Sequence, residues 1–253
     1  MLKKIMIVAT SLVAFPVLAG TQTWNIQSGD IIGTGYGNYI SKTVDGVNMN
    51  LTGWADTAGT SGLETGKLMY WNGYGLGMVN RDESNTAPDH SIDSFNNGDY
   101  DMVLLKFDTE VNLSGFNIGW AQEVSSSNTY ADVSVLAYTG NSTFNTFTSA
   151  QTWSSLVASN GGWTAQGNYA NVDDYSYQAV NSVVSSKYWL IGAYNSVFGS
   201  GAGLGAGNDG FKLAAVTTTT ADAPSNSVPE PGSLAVVAAG LLALSRARKS
   251  KQA

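Results

Sequence analysis

Asp132-Val133-Ser134-Val135-Leu136-Ala137-Tyr138-Thr139-Gly140 is the stretch that decides the fold class. Val133, Val135 and Ala137 fall on one side of an extended chain, with Ser134, Leu136 and Tyr138 on the other. Successive side chains of a strand point to opposite faces, so this period of two reads as a strand with one face in a core. The same alternation recurs. Val47, Met49 and Leu51 alternate with Asn48, Asn50 and Thr52, and Phe116, Ile118 and Trp120 with Asn117 and Gly119. Residues 102–107 are more continuously apolar, as a central strand covered on both faces requires. Residues 188–194 and 211–216 read as late strands. Turns rich in Gly, Asn, Ser and Thr separate these segments, which is the pattern of an all-β single domain of the β-sandwich or jelly-roll kind.

One short helix is expected. In residues 149–159, Trp153, Leu156 and Val157 are spaced i, i+3, i+4, and Asn160-Gly161 supplies a C-terminal stop. This segment should lid one end of the sandwich. Gly205-Ala206-Gly207-Asn208-Asp209-Gly210 matches G-x-G-x-x-G, but a strand rather than a helix follows it. A dinucleotide site needs the helix, so the motif reads as a loop between strands.

The chain has 253 residues, no cysteine and one histidine. Thiol, iron–sulfur and zinc-finger chemistry are excluded, and no disulfide staples the fold. About 200 residues, 20–216, form the body, enough for a sandwich with its own core. The basic residues concentrate at the two ends. Residues 20–227 hold six Lys and Arg against 18 Asp and Glu, a formal charge of −12. Nucleic-acid binders need clustered cations, so no nucleic-acid partner is expected.

The ends read as address labels. Lys3 and Lys4 precede an apolar stretch, residues 5–18, and Val17-Leu18-Ala19 places small residues where a signal peptidase cuts. Residues 1–19 are a secretory signal, cleaved between Ala19 and Gly20. Residues 217–227, rich in Thr, Ser and Ala with one Pro, read as a polar linker. Then comes Val228-Pro229-Glu230-Pro231, an uncharged stretch, and a basic end with Arg246, Arg248 and Lys249. Proline makes the first part stiff and extended. Residues 232–245 span roughly 21 Å as a helix, short of a ~30 Å bilayer core. Snorkelling of the basic flank and local thinning cover part of the difference. The segment is a marginal hydrophobic helix and a short membrane anchor.

Residues 228–251 resemble the PEP-CTERM sorting signal of Gram-negative bacteria: rigid motif, membrane plug and positive stop, in that order. The resemblance implies that an exosortase, a membrane-embedded cysteine protease, recognises Pro229, Glu230 and Pro231. It also implies cleavage nearby and transfer of the body from the inner membrane to the outer surface or extracellular matrix. The body is similar to exosortase-dependent surface proteins. The likeness rests on an acidic, Asn-rich loop from Asp89, Phe107-Asp108, Phe116-Asn117-Ile118-Gly119-Trp120, the 132–140 strand, residues 188–194 and Phe211-Lys212-Leu213. It implies a surface or matrix protein and supplies no active-site residues.

Catalytic chemistry finds little to stand on. His90 lies in the loop Ala87-Pro88-Asp89-His90-Ser91, and no Gly-x-Ser-x-Gly elbow occurs. It reads as a solvated or turn-bonding side chain. Glycosidases need two carboxylates facing across a sugar, and Glu64, Glu83, Glu110 and Glu123 sit in no motif with a partner. No enzymatic activity is expected, and a secreted glycan hydrolase is the remote alternative. Asp82, Glu83, Asp89, Asp93, Asp99 and Asp101 crowd one stretch, with Asn80, Asn85, Asn96 and Asn97 among them. Hard oxygens on loops suit Ca²⁺, with Asp89, Asp93, Asp99 and Asp101 as ligands, although turns use the same residues. No other cofactor is expected. Of seven tryptophans, Trp120 and Trp189 read as core. Trp71 and Trp163, beside Gly- or Asn-rich turns, are the candidates for stacking on a glycan. The expectation is a structural or adhesive surface protein, with a carbohydrate-binding module of the polysaccharide matrix as the alternative.

Overall fold

A computed structural model describes residues 20–58, 61–95, 99–124 and 127–220. These residues run through fourteen strands and one turn of α-helix. The chain opens with β1 (Thr21–Asn25), β2 (Ile31–Ile32), β3 (Tyr39–Val44) and β4 (Val47–Ala58). Short strands follow: β5 (Gly62–Thr65), β6 (Lys67–Trp71), β7 (Gly75–Val79) and β8 (Ile92–Asp93). Then come β9 (Asp101–Glu123), β10 (Tyr130–Tyr138), the helix α1 (Trp153–Leu156) and β11 (Trp163–Asp173). The chain closes with β12 (Tyr177–Ala179), β13 (Ser186–Ala193) and β14 (Asp209–Thr220).

The 23-residue β9 organises everything else. Its first half lies between β4 and β13, with Leu105 opposite both Leu51 and Trp189. β10 continues this layer beyond β13, and β11 beyond β10. The second half of β9 lies between β14 and β12, with Phe116 opposite both Val216 and Gln178. β1 and β7 also pair with β14, and β6 with β7. Between the halves, Asp108, Thr109 and Glu110 are exposed. One strand thus belongs to two layers of a folded sheet.

The main core lies between the layers. Val103, Leu105 and Phe107 from the first half of β9 join Val111, Leu113, Phe116 and Ile118 from the second. Val133, Val135 and Ala137 enter the same core, as their alternation requires. Trp24 of β1 meets Phe107 edge to face at 5.2 Å, joining the layers. A second core covers the opposite face of the first layer. Met102, Leu104, Leu136, Tyr188 and Leu190 pack there under Phe144, Phe147, Trp153, Leu156 and Trp163. Residues 102–105 are buried on both sides for this reason, and their apolar run has no alternation to show.

Three expectations need correction. The helix is one turn, not the span of residues 149–159. Thr152 and Ser155 form a reciprocal cap: the Ser155 amide donates to Thr152 Oγ1 at 3.2 Å and the Thr152 amide to Ser155 Oγ at 3.0 Å. Serine favours caps over helix interiors, and a single turn suffices to seat Trp153 and Leu156. It covers a sheet face rather than closing an end of the sandwich. Next, Trp120 is half-buried and outside the core. The register with β14 slips at Gly119, where Trp120 faces Lys212 but Ile118 faces Leu213. A bulge of this kind sends the next side chain to the other face. Finally, residues 217–220 are not linker. They complete β14, pairing with β9 and with β1. Threonine is β-branched and fits a pleated surface, and Thr218 is fully buried with its hydroxyl donating to Gln22 Oε1 at 3.3 Å.

No helix among the described residues is long and apolar enough to cross a membrane. The expected C-terminal helix, residues 221–227 of the linker and the signal segment 1–19 lie outside the described residues.

Phe107→Ala should cost about 3–5 kcal/mol of stability, because a buried aromatic ring leaves a cavity at the contact between layers. Tyr175→Ala, on a side chain 67% exposed, should stay within about 0.5 kcal/mol. Urea unfolding followed by tryptophan fluorescence measures both.

Candidate functional site

Glu83, Asp93 and Asp101 come from three separate elements. Glu83 sits in the loop after β7, Asp93 ends β8, and Asp101 begins β9. β8 pairs with β14, with Asp93 opposite Gly210, and this brings Asp93 beside the head of β9. One oxygen from each carboxylate lies within 4.8 Å of the others. Asp93 and Asp101 are fully buried, while Glu83 is half-buried. Local donors orient them. Ser91 Oγ donates to Asp93 Oδ2 at 2.8 Å and the Phe95 amide to Asp93 Oδ1 at 3.1 Å. Asn80 Nδ2 donates to Asp101 Oδ1 at 3.3 Å, and the Asn80 amide to Glu83 Oε2 at 3.1 Å. Glu83 Oε1 and Asp101 Oδ2 are buried without a hydrogen-bond partner.

No side-chain cation closes on this group in an ion pair among the described residues. Arg81, two residues from Glu83, turns to Glu64 at 2.8 Å and covers the Tyr36 ring. Burial raises all three carboxyls above the usual carboxylate range; repulsion from the other two adds to the rise of Asp101 and repulsion from Asp93 to that of Glu83, whereas a side-chain hydrogen bond with Glu83 partly lowers Asp93.

The four residues expected to ligate calcium divide. Asp93 and Asp101 meet. Asp89 stays outside the trio, its Oδ2 accepting from Ser84 Oγ at 3.0 Å. Asp99 also stands apart, raised by burial and by Asp82. Glu83 takes the third place. Only the general crowding of acids pointed to it, because spacing along the chain does not reveal that β8 and β9 bring residues 93 and 101 to the 83 loop.

A second constellation lies on the outer face of β14. Lys212 is 3% exposed, with Nζ 3.9 Å above the Trp120 ring and 4.9 Å from the Trp71 ring. Burial lowers its pKa to about 8. The other neighbour of Trp71 is His90, stacked at 4.2 Å, and burial followed by the Lys212 charge lowers the His90 pKa. His90 is thus ring-stacked rather than solvated. Trp71 is half-buried beneath these partners.

Trp163 is buried in a cluster with Tyr138, Phe144 and Phe147. Only 4% of its surface is exposed, so little of the ring is open for stacking on a sugar. It does floor a cleft of about 640 Å³ whose rim carries Thr139, Asn141, Ser142, Ser159, Asn160 and Thr164.

Residues 227–249 match the family model of the PEP-CTERM protein-sorting motif. The tail is a PEP-CTERM sorting motif. It contains Val228, Pro229, Glu230 and Pro231 and the basic Arg246, Arg248 and Lys249, all outside the described residues. This motif indicates a secreted surface protein directed to an exosortase. No curated protein and no solved structure matches the chain. Ala19 also lies outside the described residues, whereas Gly20 is placed: its amide donates to Thr220 Oγ1 at 3.3 Å.

The buried acids set the pH response of the PEP-CTERM protein's body. Asp209 accepts the Asp132 amide at 2.8 Å, yet burial raises it to about 8, and burial raises Asp56 to about 6. Between the ordinary value of 3.8 and these values the unfolded chain releases protons that the folded chain keeps. Stability contributed by these groups is full below 3.8 and falls as pH rises through 6 and 8. Lys212 acts oppositely: between about 8 and 10.5 the unfolded chain binds its proton more tightly, so stability recovers. Melting temperature in chelator should fall from about pH 4 to pH 8, and Asp209→Asn should flatten the upper part of that fall. A melting temperature that climbs across this range would refute the assignment.

Proposed function

We propose that the body is a structural or adhesive component of the outer surface or extracellular polysaccharide matrix, released to its place after an exosortase removes the tail. The observation that carries this reading is the sorting motif opening at residue 227, close behind a β-body whose last strand ends at Thr220. Six residues, 221–226, separate that strand from the motif. The acidic body suits a soluble, non-aggregating surface component, since net charge far from zero opposes self-association. β14 suits a part that carries tension: it pairs with β9 from Asp209 to Thr220 and with β1 from Ala215 to Thr219, so force applied at Thr220 acts on a strand held from two sides.

The cleft over Trp163 favours a second reading, a module that binds neutral glycan chains. Hydroxyl and amide groups on its rim match sugar hydroxyls, and the volume of about 640 Å³ accommodates a short oligosaccharide. Affinity electrophoresis through matrix polysaccharide should retard the wild type and not the double variant Asn141→Ala, Asn160→Ala. Equal migration of the two removes this reading and leaves the structural one.

Processing is tested by comparing wild type, Glu230→Ala and a chain ending at Ser227. Intact-mass analysis and cell fractionation should find the wild type at the surface or in the medium without residues 246–253. Glu230→Ala should keep them in the inner-membrane fraction. A mature wild type that retains Arg246 and Lys249 defeats exosortase processing.

A further inference from the structure

The Glu83–Asp93–Asp101 cluster has the form of a cation site. Three acidic groups lie within 4.8 Å of one another, two of them fully buried. Two oxygens of the set, Glu83 Oε1 and Asp101 Oδ2, are buried without a donor. A buried polar atom of this kind costs about 1–3 kcal/mol when left unpaired, and more when charged. Asp93 has both oxygens held by Ser91 and Phe95, the outer hydrogen bonding that orients a ligating carboxylate. We propose that Glu83, Asp93 and Asp101 bind one calcium ion.

The geometry favours calcium. Ca²⁺–oxygen distances of about 2.3–2.6 Å allow ligands on opposite sides of the ion to stand about 4.6–5.2 Å apart. Three oxygens that all lie within 4.8 Å of one another reach one calcium ion with at most a small inward movement. Mg²⁺, at about 2.0–2.1 Å, spans only about 4.0–4.2 Å and demands near-octahedral order. All the ligands are hard oxygens, and no cysteine is present to favour a softer metal. The half-buried Glu83 leaves a route for the ion and for the waters that complete its shell. Two further charges face the group, Asp89 and Lys212. They oppose each other in sign, so the trio's own charge sets the affinity.

Binding would fasten the loop after β7, the β8–β14 pair and the head of β9 to one another. The full chain, stripped with chelator and titrated with CaCl₂, should gain about 5–10 °C in melting temperature at a hundredfold excess over Kd. Glu83→Gln and Asp101→Asn keep the shape and the hydrogen bonds. Both variants should fold in chelator and lose the calcium shift, while Asp99→Asn should retain it. Absence of both shift and binding heat up to about 10 mM, ten times the weakest affinity usual for extracellular calcium modules, overturns the proposal. An undiminished shift in Asp101→Asn also overturns it, by placing the ion elsewhere. An equal shift with MgCl₂ overturns the assignment to calcium.

Discussion

The two halves of β9 sit in two layers of the sheet, and every other element takes its place from that strand. β4 and β13 flank the first half, while β14 and β12 flank the second. Side chains from both halves meet in one core, so the strand packs against itself through the molecule. The exposed Asp108, Thr109 and Glu110 mark the passage from one layer to the other. A long strand of this kind resists local opening, because peeling one half loosens the core beneath the other. Trp24 on Phe107 and Phe116 near Tyr169 fasten the layers at two separate points.

The acidic composition has a structural counterpart at the head of β14. Asp93 lies opposite Gly210 on one side, and Asp209 meets Asp132 on the other. Asp132 also ties the preceding loop to β11 by accepting the amides of Gly205 and Asn171. The Gly205–Gly210 run thus gives one backbone amide, that of Gly205, to a carboxylate. Burial raises these acids, so stability is tied to how their charge is neutralised. A body with few cations and several buried acids depends on protons more than on ion pairs. Its two ion pairs among the described residues, Lys42–Asp30 and Arg81–Glu64, both lie outside these acidic groups.

Local pattern made the strands legible and left the site obscure. Val133, Val135 and Ala137 announce their face by alternation, and residues 102–105 announce burial on both faces by lacking it. Trp120 follows the same rule in sequence and breaks it in space, because the bulge at Gly119 depends on the partner strand's register. Residues 217–220 read as linker because threonine is polar, although its branched Cβ and its pairing with two strands decide its conformation. Trp163 reads as exposed from its glycine-rich neighbours and is buried by an excursion that returns over it. Lys212 carries a faint local signal, one charge between Phe211 and Leu213. The meeting of residues 83, 93 and 101 carries only the crowding of acids as a signal, since tertiary pairing selects which of them meet.

β1 and β14 close the body, and their pairing bears on the order of events during export. Thr21 lies opposite Thr219, and Gly20 and Thr220 exchange backbone and side-chain hydrogen bonds. The first residues after the expected signal cleavage thus meet the last strand before the sorting motif. β14 is an interior strand, with β9 on one side and β1 and β7 on the other. A chain that lacks it exposes the long second half of β9 as an unpaired edge, and such edges invite association with other chains. Contacts of this sequence separation also form late, since loop closure precedes any gain from them. The sandwich therefore closes only once the chain through Thr220 is available to pair with β1 and β9.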